Sequence, residues 1–197
     1  MKTNKSKLIV SAVLLGAVAL GLDSCKSKKS VEQTMGAVEI TVPFNTKDYS
    51  SDKENFRTKS SGNSQDLTTS KKIALQNAKS EMAGLIQTTI KKVTDQYTKQ
   101  STIGNAQDFS NKFEELAREV TNQQLTDVRI IGEKIFQEKN QTFTYWVAIE
   151  ANKQGVYDGI TKTVSNSKKL EQDYDKKKFE EIFNLEMDKL AKEKSGN

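Results

Sequence analysis

An uncharged apolar run near the amino terminus constrains most strongly what this chain can fold into. Residues 8–22 read LIVSAVLLGAVALGL, and lysines precede them at positions 2, 5 and 7. The run is shorter than the roughly 20 apolar residues of a membrane-spanning helix, and it has the length and the charged start of a secretory signal peptide. We therefore predict that residues 1–24 are removed on export and that the later residues supply the fold.

The only cysteine of the chain stands at the end of this segment, in the sequence Leu22-Asp23-Ser24-Cys25. This sequence resembles the lipobox of bacterial lipoproteins, although Asp23 is an unusual residue within it. The resemblance implies that Cys25 receives a diacylglycerol, that the chain is cut before it, and that the new amino terminus is acylated, for example with palmitate. Stable anchoring takes more than one acyl chain, and such a terminus meets that condition. The alternative is a plain signal peptide with an incidental cysteine.

The residues after the cysteine bear on the membrane that would receive the protein. Lipoproteins kept in the inner membrane often carry Asp directly after the cysteine, whereas this chain has Lys26. That resemblance implies the outer membrane. The cluster over residues 26–30 is basic rather than acidic, which favours the periplasmic face over the cell surface. We interpret residues 25–37 as a lipidated, flexible tether.

The distribution of charge and the cysteine content argue against a nucleic-acid partner and against an internal disulfide. The chain has 31 basic and 26 acidic residues; without the three lysines and Asp23 of the signal segment, 28 basic and 25 acidic residues remain. These charges are spread along the sequence, whereas nucleic-acid binding favours basic residues on one face, so we predict no nucleic-acid partner. With Cys25 committed to lipid no internal disulfide can form, and stability must come from an ordinary core.

Alternating apolar and polar residues mark the strands. They predict three strands, over residues 38–42, 128–136 and 143–150. A turn at residues 138–141 joins the last two into a hairpin. Residues 45–67 read mostly as a loop, although the pattern is also compatible with a short strand over 55–59 closed by a turn at 60–63.

Apolar residues at steps of three or four predict the helices. The longest covers residues 68–99, with Thr68 or Thr69 as its cap, and a second begins after Asn105, which can cap it. A short helix over 153–165 and a charged amphipathic helix over 170–194 follow.

These elements together predict an α+β fold: a small, mainly antiparallel sheet with a late β-hairpin, helices packed on one face, and a C-terminal amphipathic helix. We assign residues 38–166 to an α+β domain and residues 167–197 to the charged C-terminal helix.

Three stretches resemble the LPP-twenty lipoprotein family, over roughly residues 50–152. They are Phe56-Arg57 with the Ser/Gly segment 60–64, the alanine-bearing stretch 73–79, and the aromatic strand 143–149. The resemblance implies an envelope lipoprotein with an α+β fold. It carries over no catalytic residues, because the biochemical role of that family is largely undefined.

The residues of catalytic and metal sites are scarce in this sequence. Histidine is absent, which removes the commonest general acid/base and metal ligand. Asp173-Tyr174-Asp175 begins like a calcium loop, but the sixth position is Lys178 and the twelfth is Asn184, where Gly and Glu are expected. We predict no catalytic residues, no metal site and no cofactor.

Two features could bind a partner. Trp146 alternates with Tyr145 and Val147 in the predicted hairpin, so it lies on the opposite sheet face. An indole exposed there would be an anchor of the kind enriched at interfaces, and the alternative is that Trp146 packs under a helix. The turn at Ser60–Ser64 could hold an anion on backbone amides, or it could simply cap the helix.

The sequence thus favours a lipid-anchored envelope lipoprotein that is not an enzyme and that binds or scaffolds a protein partner. The alternative is an enzyme or small-molecule binder acting on cell-wall or lipid material, with carboxylates brought together only by the fold.

Overall fold

A small antiparallel sheet forms one layer of the fold. In the computed structural model, which describes residues 40–195, its strands are β1 (Asn55–Ser64), β2 (Arg129–Gln137) and β3 (Phe143–Asn152). Their order is β1-β3-β2, and both neighbouring pairs are antiparallel. The predicted α+β class and the late hairpin are confirmed.

Helices form the remainder of the described chain: α1 (Leu67–Gln100), α2 (Ala106–Gln124), α3 (Lys153–Ser165), α4 (Lys168–Glu171) and α5 (Lys176–Ser195). A 3-10 turn over Lys47–Tyr49 precedes β1. Within residues 40–195, no helix is both long and apolar enough to cross a membrane. The signal segment 1–24, Cys25 and the tether 25–37 lie outside the described residues.

The long helix α1 connects the sheet with the other helices. Its first half lies on one face of the sheet, where Thr58 Oγ1 donates a hydrogen bond to the carbonyl of Ala78 at 2.9 Å. Its second half packs against α2 and α5. There Tyr97 stands at the centre of an aromatic cluster completed by Phe109, Phe113, Tyr174 and Phe179. One continuous apolar core therefore runs from beneath the sheet into the helices.

Polar side chains set the starts of the first two long helices. Asn105 caps α2 as predicted, since its Oδ1 accepts from the amide of Asp108 at 3.1 Å. The prediction that Thr68 or Thr69 caps α1 is wrong. Asp66 is the cap, and its Oδ1 accepts from the amide of Thr69 at 2.7 Å. A carboxylate suits that position because the free amides of the first turn carry partial positive charge.

Two predictions near the start of the domain are wrong. Residues 40–42 form no strand, and residues 38 and 39 lie outside the described part. No described strand offers Ile40 a ladder partner, and its side chain remains 80% exposed. The predicted turn at Ser60–Ser64 is instead the second half of β1, which removes the anion site suggested there.

The C-terminal helix begins later than predicted. The chain leaves α4 at Glu171 and starts α5 at Lys176. Tyr97 explains the break, because its hydroxyl donates to the carbonyl of Asp173 at 2.8 Å and accepts from the amide of Asp175 at 2.6 Å. Asp175 Oδ1 in turn accepts from the amide of Lys178. The segment that resembled a calcium loop is thus a helix start anchored to α1.

Candidate partner-binding surface

The two faces of the sheet have different covers. The inner face carries Phe56, Tyr145, Val147 and Ile149, which are buried beneath α1. On the outer face, the register aligns one residue of β1, one of β3 and one of β2 in each row. Its four rows are Arg57, Glu150 and Arg129; Lys59, Ala148 and Gly132; Ser61, Trp146 and Lys134; and Asn63, Thr144 and Phe136.

Trp146 lies on this outer face, as the alternation in the sequence predicted. Ser61 and Lys134 are its direct neighbours on β1 and β2, and its side chain is half-buried. Phe136 is a diagonal neighbour on the same face, at a spacing within reach of aromatic side chains, and it is 45% exposed. We call Trp146, Phe136 and Lys134 the outer patch. Because α1 contacts the opposite face, the indole does not pack beneath that helix.

The segment before β1, residues 44–54, covers part of the outer face near Lys59 and Gly132, and we call it the lead-in segment. Phe44 is buried, and a Cβ atom added at Gly132 would lie 2.6 Å from its ring. Lys59 Nζ donates to the carbonyl of Phe44 and to Asn45 Oδ1, both at 2.9 Å. Glycine at position 132 therefore makes room for an aromatic ring that seals Ala148 from solvent.

A charged network crosses the sheet at the other end of this face. Glu150, only 6% exposed, accepts hydrogen bonds from Arg57 Nε at 3.0 Å and from Arg129 Nε at 2.9 Å. Arg57 also bonds the carbonyl of Ser50 and the carboxylate of Asp52. Burial alone would raise the pKa of Glu150, but the hydrogen bonds from the two arginines outweigh it and hold that pKa below its ordinary value. The network ties three strands and the lead-in segment together.

Lys153 fixes the lead-in segment from the start of α3. Its side chain is buried, its Nζ donates to the carbonyl of Asp52, and the ammonium lies 5.3 Å from the Phe56 ring centroid. Burial lowers the pKa of Lys153 to about 8, with partial compensation from Asp52 and Asp188. A buried lysine that is engaged with a carbonyl and an aromatic ring stabilises this junction.

The free edge of β2 is a second exposed feature. Contacts from α1 run along β1 and β3, and they leave the apolar side chains of β2 open. Ile130 is 40% exposed and Ile135 is 52% exposed on the inner face, while Phe136 is exposed on the outer face. An exposed edge with apolar side chains is unusual in a monomer and is typical of an interaction site.

Grooves that could hold a small molecule are open to solvent. One of about 450 Å³ lies between α1 and α2, where the carboxylates that line it, Asp95 and Glu114, are exposed. Another of about 570 Å³ lies between the lead-in segment and β1. Within residues 40–195, no group of three or more His, Cys, Asp or Glu residues is placed to hold a metal ion.

Sequence reasoning found Trp146 and its face but missed the other parts of this surface. The alternation of β3 does place Glu150 on the same face as Trp146, and a carboxylate in an otherwise apolar strand was a signal that it must be paired there. Nothing in the polar segment 45–54 indicated that it would cover the sheet. Cys25 lies outside the described residues.

No family model matches this chain, and neither a curated protein nor a solved structure matches it. The geometry above and the sequence are therefore what a proposal about function must rest on.

Proposed function

We propose that this chain is a non-catalytic lipoprotein, anchored through Cys25 in the outer membrane and facing the periplasm, which holds a protein partner on the outer patch of its sheet. One observation carries the partner-binding part. Trp146 and Phe136 are diagonal neighbours on a sheet face away from α1, with the cationic Lys134 directly opposite Trp146. Aromatic residues flanked by polar ones are characteristic of the centres of protein interfaces.

The surroundings of the patch support a rigid binding surface rather than a mobile one. Asn63 Nδ2 donates to Thr144 Oγ1 at 2.9 Å, and Thr144 Oγ1 donates to Glu138 Oε1 at 2.8 Å. On the other side of Trp146, the lead-in segment is fixed by Lys59. A patch framed in this way presents its aromatic side chains with little loss of conformational entropy on binding.

The anchoring part rests on the sequence around Cys25 and on the resemblance to the LPP-twenty family. A tether of residues 25–37 would span at most about 40 Å when fully extended, at roughly 3.3 Å per residue. That length would let the domain reach partners embedded in, or lying close to, the same membrane.

Crosslinking in living cells tests the proposal. The lipidated protein is crosslinked, purified with its neighbours, and compared with Trp146→Ala and with Leu185→Ala, which removes an exposed apolar side chain on α5. We expect one dominant protein neighbour, reduced at least tenfold by Trp146→Ala and unchanged by Leu185→Ala. A neighbour unaffected by Trp146→Ala would place the surface elsewhere, and no enriched neighbour at all would contradict the scaffold role.

Membrane fractionation tests the anchor separately. Cys25→Ser should move the protein from the membrane fraction to the soluble fraction, because the thiol that receives the lipid is lost. A Cys25→Ser protein that stays with the membrane would show that lipid on Cys25 is not the anchor.

A further inference from the structure

We propose that the free edge of β2 pairs with β2 of a second copy of this chain, in an antiparallel register that places Ile135 opposite Ile135 of that copy. The two three-stranded sheets would then form one six-stranded sheet. This inference does not depend on the lipid anchor or on Trp146, although it uses Lys134 and Phe136 of the outer patch.

The starting observation is a strand whose free edge lacks a cover within residues 40–195. In this range β2 pairs with β3 alone. Ile130, Ile135 and Phe136 are each at least 40% exposed along it. Backbone donors and acceptors on such an edge are ready to bond another strand.

Symmetry limits how two copies can meet. Joining two identical edges into one sheet requires a two-fold axis perpendicular to the sheet, and that axis keeps each residue on its own face. A residue on the axis therefore lies opposite itself in the second copy. The choice of register becomes a choice of which residue of β2 stands on the axis.

Charge excludes the central registers. An axis at Glu133 places two carboxylates opposite each other, each bound by Lys71 Nζ of its own chain at 2.9 Å. An axis at Lys134 places two ammonium groups opposite each other, each 5.6 Å from the Phe44 ring centroid of its own chain. Like charges directly opposite destabilise a sheet. An axis at Gly132 or earlier meets the register shift between Ile130 and Gly132. An axis at Phe136 leaves an overlap of residues 135–137 alone, because β2 ends at Gln137.

The axis at Ile135 gives complementary pairs throughout a longer overlap, residues 133–137. Two isoleucine side chains meet on the inner face. Lys134, whose ammonium lies 5.6 Å from the Phe44 ring centroid of its own chain, lies opposite Phe136 of the second copy on the outer face, twice by symmetry. Its charge then meets an aromatic side chain rather than a second charge. Glu133 lies opposite Gln137. Glu133 and Lys134 thus disfavour the other registers and are compatible with this one. A second copy of this chain is therefore the partner that fits the free edge of β2.

Cysteine crosslinking tests the register, because the chain has a single native cysteine. In the full chain with Cys25→Ser, we expect Ile135→Cys to form a disulfide-linked dimer under mild oxidation, since opposite Cα atoms in antiparallel pairs lie about 4.5–5.5 Å apart. Leu185→Cys is the matched control, because Leu185 is 56% exposed and Ile135 is 52% exposed. At least tenfold more dimer from Ile135→Cys is expected, and equal yields would overturn the proposal.

Mixed variants test the direction of pairing. Lys134→Cys mixed with Phe136→Cys should give a disulfide-linked heterodimer in higher yield than either variant alone. Dominant self-crosslinking of Lys134→Cys would overturn this register.

A measurement without crosslinks distinguishes a stable dimer from transient collisions that a disulfide could trap. In analytical ultracentrifugation, the Cys25→Ser chain should show a concentration-dependent dimer. Ile135→Glu and Ile135→Lys should each be monomeric, with unchanged circular dichroism, and their mixture should restore the dimer. Trp146→Ala should dimerise normally, which separates this proposal from the proposed role of Trp146. A Cys25→Ser chain that stays monomeric up to about 1 mM would overturn the inference.

Discussion

The two edge strands of the sheet invert the usual relation between polarity and burial. β1 reads NFRTKSSGNS, which is almost entirely polar, yet most of it is half-buried or buried. β2 reads RIIGEKIFQ, which is much more apolar, yet seven of its nine residues are exposed. Both strands pair with β3, so the pairing does not explain the difference.

The path of α1 on one face, together with the lead-in segment on the other, explains it. The helix crosses β1 so closely that a Cβ atom at Gly62 would lie 2.5 Å from the amide nitrogen of Ala74. The polar side chains of β1 and α1 bond across this contact, as when Asn77 Nδ2 donates to the carbonyl of Ser61 at 3.0 Å. The burial of an edge strand therefore depends on which neighbour lies over it and much less on the composition of the strand.

The largest expected effect breaks the contact at β1. Gly62→Val should lower the free energy of unfolding by about 3 kcal/mol, because the backbone atoms of α1 cannot move aside. Gly132→Ala on β2 should cost only about 1 kcal/mol, since ring edges of Phe44 and Tyr49 meet the new methyl group and can rotate. Urea unfolding followed by circular dichroism measures both.

A third glycine is the control for that pair. Gly84→Ala lies in α1 with nothing within 4 Å of the added carbon, so it should stabilise the protein by up to about 1 kcal/mol. Equal losses for Gly62→Val and Gly132→Ala would mean that the two edges are held alike.

The next effect concerns Glu150, whose carboxylate joins β1 to β2 across β3. Glu150→Gln should cost about 2 kcal/mol at pH 7, because Arg57 and Arg129 lose a buried charged acceptor. Glu115→Gln makes the same charge change on an exposed residue of α2 and should cost less than about 0.5 kcal/mol.

The pH dependence of this effect has a definite sign. The pKa of Glu150 in the folded protein lies below its ordinary value of 4.5. The stabilisation is therefore complete above that ordinary value and is lost as the pH falls through the lower, folded one. Unfolding curves from pH 7 to pH 3 should show the native protein and Glu150→Gln converging at the acidic end, and a constant gap would contradict the network.

The smallest effect is expected at Phe136 on β2. Phe136→Thr should change the free energy of unfolding by less than about 0.5 kcal/mol, because this side chain is 45% exposed and threonine suits a strand. The measurement must be made at low protein concentration, where a β2-paired dimer would dissociate. A loss above about 1 kcal/mol would show that β2 is held within the monomer more tightly than its exposure indicates.

The sequence predicted the elements whose side chains follow a clear period. The stripe of α1 and the alternation of β3 are strong patterns, because each buries one complete face. The second half of β1 was missed, because serine, glycine and asparagine form turns unless a helix lies over them. The break before α5 was missed for a similar reason: the hydroxyl of Tyr97, more than 70 residues away in sequence, causes it.

Only part of the candidate surface could be predicted from the sequence. The period of β3 was enough to place Trp146 on the second face. The lead-in segment that covers the neighbouring row could not be foreseen, because its attachment depends on lysine and arginine side chains reaching backbone carbonyls, as at Lys59 and Lys153. Such contacts leave no periodic trace in a sequence.

The polar composition of β1 also affects the order in which the strands of the sheet can pair. Arg57 of β1 meets Glu150 of β3, 93 residues later, so β1 has no strand partner until most of the chain has been synthesised. An unpaired strand of apolar residues would be prone to aggregate with other chains during that interval. The serine, threonine, lysine and asparagine side chains of β1 stay hydrated during that interval. β1 can then pair with β3 as the last strand of the sheet.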